Sequence, residues 1–199
     1  MTDTIPETLR SLLQGNERFI AGTPNALPDA VARVEQAAGQ APFAVVLGCS
    51  DSRVPVEMIF DQAPGNLFVI RLAGNTATLD AVASIEYAVA VLKTPLLLVL
   101  GHSTCGAATA AVDYAANGTT LPGAMQRFVD AVVPAALRAR AAGGDWIAQT
   151  VAENVRHNLD QVVEQSVVVS HALAQGALQL AGAVYDLHSG RVDVIVNGR

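Results

Sequence analysis

Short apolar runs of strand length, separated by stretches with helical periodicity, are the feature of this sequence that most restricts its fold. Three of them, FAVVLGC (43–49), LFVIRLAG (67–74) and PLLLVLGH (95–102), lack clean alternation of apolar and polar residues. Helical patterns cover about 5–21, 29–39, 55–60, 78–92 and most of 105–175. Strands of this kind, alternating with helices, indicate a parallel sheet that is covered on both faces.

The end of the chain carries two further strand-like runs. ALQLAGAVYDL (177–187) and RVDVIV (191–196) are separated by HSG, which predicts a closing hairpin. We therefore expect an α/β fold with a mostly parallel central sheet of four to five strands flanked by helices. A length of 199 residues suits one domain, 1–199, made of an N-terminal helical arm (1–40) and an α/β core (41–199).

Composition excludes several classes of partner. Charged residues make up only 15% of the chain, the formal net charge is −6, and the basic residues are scattered, so no nucleic-acid partner is expected. The longest apolar region, 87–101, is interrupted by Lys93 and Pro95, and no membrane span or secretory signal is predicted. We expect a cytoplasmic protein, in which Cys49 and Cys105 do not form a structural disulfide.

Reactive side chains follow two of the predicted strands. The first strand ends in GCSDSR (48–53) and the third in GHSTCG (101–106). In a parallel sheet these two loops emerge at the same edge, so Cys49, Asp51, His102 and Cys105 can converge. Two thiolates, an imidazole and a carboxylate are donors that suit Zn²⁺ and suit Mg²⁺ or Ca²⁺ poorly.

Other interpretations of these residues stay open at this point. A cysteine nucleophile with His102 as its base would leave Cys105 and Asp51 without a role. A zinc ion closed by four protein ligands would only stabilise the fold, and two isolated cysteines would be small core residues. The remaining histidines, at 157, 171 and 188, are expected to be structural or on the surface.

The two motifs together resemble those of the β-class carbonic anhydrases. CSDSRV (49–54) is followed some fifty residues later by GHSTCGA (101–107), and GNERF (15–19), SIEYAV (84–89) and GAVYDLHSG (182–190) extend the similarity along the chain. The resemblance implies that Cys49, His102 and Cys105 bind zinc and that Asp51 and Arg53 form a dyad that orients the nucleophile. It also implies reversible hydration of CO2 to bicarbonate and a proton.

The same resemblance implies a substrate pocket and an oligomer. Gln40 resembles a substrate-holding glutamine, and Phe68, Ala73 and Tyr87 fall at positions that line an apolar pocket. In the family, part of this pocket comes from a neighbouring subunit, and the N-terminal helix extends across the partner. A homodimer or homotetramer is therefore implied.

One branch of the family has an additional, inhibitory bicarbonate site built from tryptophan, arginine and tyrosine. Arg71 and Tyr185 fit two of these positions, but Val46 stands where the tryptophan would be. Bicarbonate inhibition is therefore not expected to transfer to this chain.

The spacing of Asp51 and Arg53 has a physical consequence. A carboxylate on the fourth position of the metal would exclude water and close the site. A bidentate ion pair with Arg53 would hold Asp51 off the metal and leave it as a hydrogen-bond acceptor. The sequence thus favours an open, catalytic metal site over a closed, structural one.

Overall fold

A five-stranded sheet forms the centre of the computed structural model, which describes residues 6–25, 34, 36–141 and 143–198. The strands are β1 (Ala44–Cys49), β2 (Leu67–Leu72), β3 (Leu96–His102), β4 (Gln179–Tyr185) and β5 (Val192–Asn197). They lie in the order β2-β1-β3-β4-β5, and only the β4–β5 pair is antiparallel. The predicted mostly parallel sheet and the closing hairpin are both confirmed.

Helices connect and cover the strands. Those in the described part of the chain are α1 (Glu7–Ala21), α2 (Val56–Ile59), α3 (Leu79–Ala90), α4 (Gly106–Asn117), α5 (Gln126–Arg140), α6 (Trp146–Gln165) and α7 (Val167–Ala174). Short 3₁₀ turns occupy Ala73–Asn75 and Gly123–Met125. Most of the helix predicted over 29–39 falls outside the described residues. The other predicted helices are confirmed.

Both faces of the sheet are buried, which explains why the strands lack polar alternation. Every residue of β1 and β3 is buried. One face packs against α1 and α2, with a core that includes Leu9, Leu12, Val46, Ile59 and Leu98. The opposite face packs against α3, α6 and α7, with a core that includes Val45, Ile85, Leu97, Leu159 and Val169. Neighbouring strand residues point to opposite faces, so both must be apolar.

The N-terminal helix is anchored to the core of its own chain through the GNERF segment. Asn16 Nδ2 donates hydrogen bonds to the carbonyl oxygens of Ile59 (3.2 Å) and Gly190 (2.8 Å), and Asn16 Oδ1 accepts one from the amide of Val192 (2.9 Å). Gly15 lets α1 approach the end of α2, because a Cβ there would lie 1.8 Å from the carbonyl oxygen of Phe60. That α1 also extends across a partner chain stays a prediction.

Other expectations concern the chain as a whole. No helix among the described residues is both long enough and apolar enough to span a membrane. The cytoplasmic location stays a prediction. The division of a single domain into an arm and a core at residue 40 is also untested.

The contact at Gly15 gives a prediction about stability. Replacing glycine by alanine inside a helix ordinarily stabilises it by about 1 kcal/mol. In Gly15→Ala the new methyl group would overlap backbone rather than a movable side chain, so we expect a net destabilisation of about 3 kcal/mol. Urea unfolding at one fixed protein concentration measures the change.

Gly39→Ala is the control, because no described residue other than its chain neighbours places an atom within 4 Å of a Cβ at that position. Its free energy of unfolding should stay within about 0.5 kcal/mol of wild type. Equal stability of the Gly15→Ala and Gly39→Ala proteins would contradict the close packing of α1 on α2.

Candidate metal centre

The carboxyl ends of β1 and β3 bring the two sequence motifs together. These strands are parallel neighbours, with Gly48 opposite Leu100, and they end at Cys49 and His102. Cys105 follows as the N-cap residue of α4. The potential ligand atoms of Cys49, His102 and Cys105 all lie within 4.8 Å of one another, and all three residues are buried. The sequence predicted this convergence at one edge of the sheet.

The two cysteine side chains are reduced and contact each other. The hydrogen bond from the Cys105 thiol is the main cause that lowers the pKa of Cys49, against the effect of burial. The same hydrogen bond is the main cause that raises the pKa of Cys105, followed by burial. Two sulfur atoms held this close together in a buried site favour a cation between them.

Backbone amides also face these sulfur atoms. Hydrogen bonds from the backbone of Asp51 and Gly74 lower the pKa of Cys49. The backbone of Ala107 and Ala108, in the first turn of α4, lowers the pKa of Cys105. Amide donors at a helix N-terminus favour a thiolate, which is the form of cysteine that binds metals.

The His102 imidazole is positioned to use one particular nitrogen as a ligand. Its side chain is fully buried, and its Nδ1 lies 3.0 Å from the carbonyl oxygen of Ser103. This contact requires the proton on Nδ1 and leaves the lone pair on Nε2. Nε2 is buried and has no hydrogen-bond partner among the described residues. A buried nitrogen without a partner is unfavourable, and a metal ion beside the two sulfurs would satisfy it.

The residue types in this cluster fit zinc. Thiolate sulfur and imidazole nitrogen are the usual zinc ligands, and catalytic zinc sites have three protein ligands with one position left for water or substrate. Holding Nδ1 by a backbone carbonyl is also how metal-binding histidines are commonly oriented. Cys49, His102 and Cys105 could therefore hold Zn²⁺ in this protein.

Asp51 and Arg53 form a closely hydrogen-bonded pair beside the cluster. The Arg53 guanidinium donates from Nε to Asp51 Oδ1 (2.9 Å) and from Nη2 to Asp51 Oδ2 (2.7 Å), and the Arg53 amide also donates to Oδ1 (2.9 Å). These bonds hold the pKa of Asp51 well below its usual range. Asp51 Oδ2 lies 3.9 Å from His102 Nε2. In this arrangement the carboxylate faces the cluster while paired with arginine, and its service as a fourth metal ligand stays a prediction.

Arg71 is a supporting residue whose role the sequence did not reveal. It lies on β2 opposite Gly48, and its guanidinium donates to the carbonyl oxygens of Cys49 (2.9 Å) and Asp51. The sequence motifs related it only to an inhibitory bicarbonate site. The one available signal was a charged residue inside an otherwise apolar strand. Arg71 fixes the backbone of the loop that carries both Cys49 and Asp51.

The four predicted pocket residues do not gather around this cluster within one chain. Ala73 directly follows Leu72, which pairs with Cys49. Phe68 pairs with Val45, four residues before Cys49, or roughly 13 Å away along the strand.

Tyr87 and Gln40, like Phe68, lie away from the cluster of Cys49, His102 and Cys105. The Tyr87 ring packs against Phe68, with 6.1 Å between the ring centroids. Gln40 is exposed and precedes the amino end of β1, whereas Cys49 lies at its carboxyl end. Of the four, only Ala73 is placed near the metal cluster of its own chain.

Comparison with known proteins identifies relatives along most of the sequence. Residues 44–192 match the family model described as carbonic anhydrase. The chain is 42% identical to carbonic anhydrase 2 of Mycobacterium tuberculosis strain H37Rv over 184 residues, which is 92% of this chain and 88% of the relative. It is 39% identical to the carbonic anhydrase of Pseudomonas aeruginosa over 165 residues, covering 78% of this chain and 74% of the relative.

Solved structures give the same result at the level of the fold. A β-carbonic anhydrase of Sordaria macrospora, described as tetrameric, has a TM-score of 0.75 at 26% identity and covers 98% of this chain and 100% of its own. A Coccomyxa β-carbonic anhydrase in complex with acetazolamide has a TM-score of 0.72 at 28% identity, covering 97% of this chain and 90% of its own.

Proposed function

The chain belongs to the β-carbonic anhydrase family, and on that premise we propose that it is a zinc enzyme that interconverts CO2 and bicarbonate. The observation that carries the zinc assignment is the buried Nε2 of His102, which has no hydrogen-bond partner in the described chain and faces two cysteine thiols. Cys49, His102 and Cys105 would hold the metal. Bound zinc supplies hydroxide at neutral pH, because it lowers the pKa of a water ligand to about 7.

The chain's own residues would orient this nucleophile. Arg53 holds the Asp51 carboxylate by two side-chain hydrogen bonds and one from its amide, so the carboxylate stays ionised and fixed in direction. Asp51 would accept a hydrogen bond from the attacking water and point its lone pair at CO2. The same ion pair keeps Asp51 from filling the position that water needs, which favours catalysis over a purely structural metal.

The substrate requires little from the protein besides an apolar surface. CO2 is uncharged and weakly polar, so Phe68, Ala73 and Tyr87, with Gln40 as a polar donor, would form an adequate pocket. Three of these residues lie away from the metal cluster of their own chain. We therefore propose that they line the site of a second copy, which makes the functional unit at least a homodimer.

The surface around Phe68 and Tyr87 supports this assembly. β2 is an edge strand, and its residues after Leu67 are only partly buried. Beside it, α3 and the residue that caps its C-terminus expose Leu79 (76%), Tyr87 (47%) and Val91 (59%). An apolar edge strand next to exposed apolar helix residues is a surface that another chain would cover. The related Sordaria macrospora enzymes are described as tetrameric.

The proposed activity is tested by stopped-flow CO2 hydration with a pH indicator, on protein whose zinc content is measured. We expect one zinc per chain in the wild type. Cys105→Ala should lose both the metal and the activity, because it removes one of three ligands. Ser52→Ala, an exposed position in the loop that follows Cys49, is the control and should keep both. Full zinc occupancy in Cys105→Ala, or undiminished activity in zinc-free protein, would overturn the proposal.

The Asp51–Arg53 pair gives a prediction that distinguishes binding of the metal from orientation of the nucleophile. Arg53→Ala should bind zinc normally but hydrate CO2 about 100-fold more slowly, because the released carboxylate is free to occupy the metal's open position. Asp51→Ala should also keep zinc and lose rate, through lost orientation of the nucleophile.

The double variant Asp51→Ala/Arg53→Ala distinguishes these two effects. If Arg53 acts only through Asp51, the double variant should be as active as Asp51→Ala alone, which stopped-flow rates will show. Near-wild-type CO2 hydration by Arg53→Ala would contradict this role and show that Arg53 only stabilises the loop.

The shared pocket predicts that assembly and activity fail together. Leu79→Asp places a charge on the exposed surface beside β2, while an acid in the first turn of α3 is compatible with the helix. We expect zinc-loaded monomers with severely reduced activity in analytical ultracentrifugation and stopped-flow assays. Leu137→Asp, at a half-exposed leucine of α5, is the control. A fully active monomer would show that one chain completes its own site.

A further inference from the structure

The turn that follows β2 is strained and lies against the proposed metal ligands. Gly74 (φ 68°) and Asn75 (φ 45°) are consecutive residues in the left-handed region. Such a conformation in a residue other than glycine costs free energy and persists only where the surroundings enforce it. Leu72, the residue before the turn, pairs with Cys49 across the sheet, and the Gly74 backbone is among the groups that lower the pKa of Cys49. The shape of this turn therefore sets the environment of one proposed zinc ligand.

Two buried asparagines of α6 hold the turn at both ends. Asn154 Nδ2 donates to the carbonyl oxygen of Gly74 (2.7 Å), and Asn158 Oδ1 accepts from the amide of Ala77 (2.7 Å). Asn158 Nδ2 donates to the carbonyl oxygen (2.8 Å) and the side-chain Oδ1 (3.0 Å) of Asn154. Their exposed fractions are 3% and 4%. The two amides form a continuous chain of hydrogen bonds from α6 to the turn.

The opposite side of the turn has no free space. A Cβ at Gly74 would lie 2.9 Å from the Cβ of Ala107 and 3.1 Å from Cγ2 of Val132. Ala107 is in the first turn of α4, two residues after Cys105. The turn is therefore fixed between the asparagines of α6 and the helix that begins at another proposed ligand.

We propose that Asn154 and Asn158 are positioning residues for the metal centre, which hold the 73–77 turn in place against Cys49 and the start of α4, so that the metal is released slowly. The inference rests on the proposed zinc site. Groups that contact ligands rather than the metal commonly change metal affinity or activity by 10–100-fold. Two buried side-chain amides with satisfied donors and acceptors also specify one geometry, which apolar side chains of similar size would not.

The test compares Asn154→Leu with wild type in the zinc-loaded, full-length protein. The substitution replaces the amide by an apolar side chain of similar size and removes the donor to Gly74. We expect zinc transfer to a chromogenic chelator to be at least about 10-fold faster. In Co²⁺-substituted protein the thiolate-to-cobalt charge-transfer band should shift, because the backbone beside the Cys49 sulfur is no longer held in one position.

A control on the same helix separates positioning from general stability. Val162 is fully buried in α6 and packs in the cluster on the α3 and α7 side of the sheet. Val162→Ala should lower the unfolding temperature yet release zinc at the wild-type rate with an unchanged cobalt spectrum. Should Asn154→Leu fail to fold, Asn158→Ala, which removes the contact with Ala77, is expected to accelerate zinc release in the same way.

The possible failures are distinguishable. Zinc release from folded Asn154→Leu, or from Asn158→Ala in its place, at the wild-type rate and with an unchanged cobalt spectrum would overturn the positioning role while leaving the zinc site intact. A wild-type protein that binds no zinc would overturn the proposed function and this inference together.

Discussion

Parallel pairing of β1 with β3 is the constraint on which the rest of the structure depends. The two strands run in the same direction as neighbours, so the residues that follow them must emerge at one edge. This places Cys49 beside His102, although 53 positions separate them along the chain (102 − 49). The crossover that parallel pairing requires contains β2, the 73–77 turn and α3. The same segment thus supplies two groups beside the site that this strand pairing creates: Arg71, which holds the backbone of the Cys49 loop, and the backbone of Gly74.

Burial gives these residues their chemical character. Two sulfur atoms and an imidazole nitrogen are held together in a buried site, and the three of them lack a balancing positive charge when the thiols are ionised. The surrounding backbone amides favour negative charge on both sulfurs. Asp51 lies at the rim of this cluster and is balanced separately by Arg53. The site therefore contains two groups of charged or ionisable residues. The cysteines and His102 suit binding of a cation, and the Asp51–Arg53 pair suits orientation of a nucleophile.

Sequence patterns predicted the features that depend on local periodicity and on strand direction. The five strands, the closing hairpin and the convergence of Cys49, His102 and Cys105 belong to this group, because a short apolar run and its direction in a parallel sheet determine where its last residue emerges. Arg71, Asn154 and Asn158 were missed for the opposite reason. Their roles depend on backbone atoms far away in sequence: Asn154 reaches Gly74 across 80 residues. An asparagine in a helix gives no sign of which carbonyl it will contact.

The apolar pocket shows why a fold of this kind favours assembly. Loops at the carboxyl edge of a parallel sheet are rich in polar and small residues, so they provide ligands readily and provide apolar walls poorly. Two aromatic side chains, the partly buried Phe68 and the exposed Tyr87, lie instead on an edge strand and an outer helix, away from the metal ligands that they would serve. In the proposed assembly, covering that surface removes apolar area from water and brings these rings to a partner's site in the same step. Association and completion of the pocket would then share one driving force, and selection for activity would also maintain the interface.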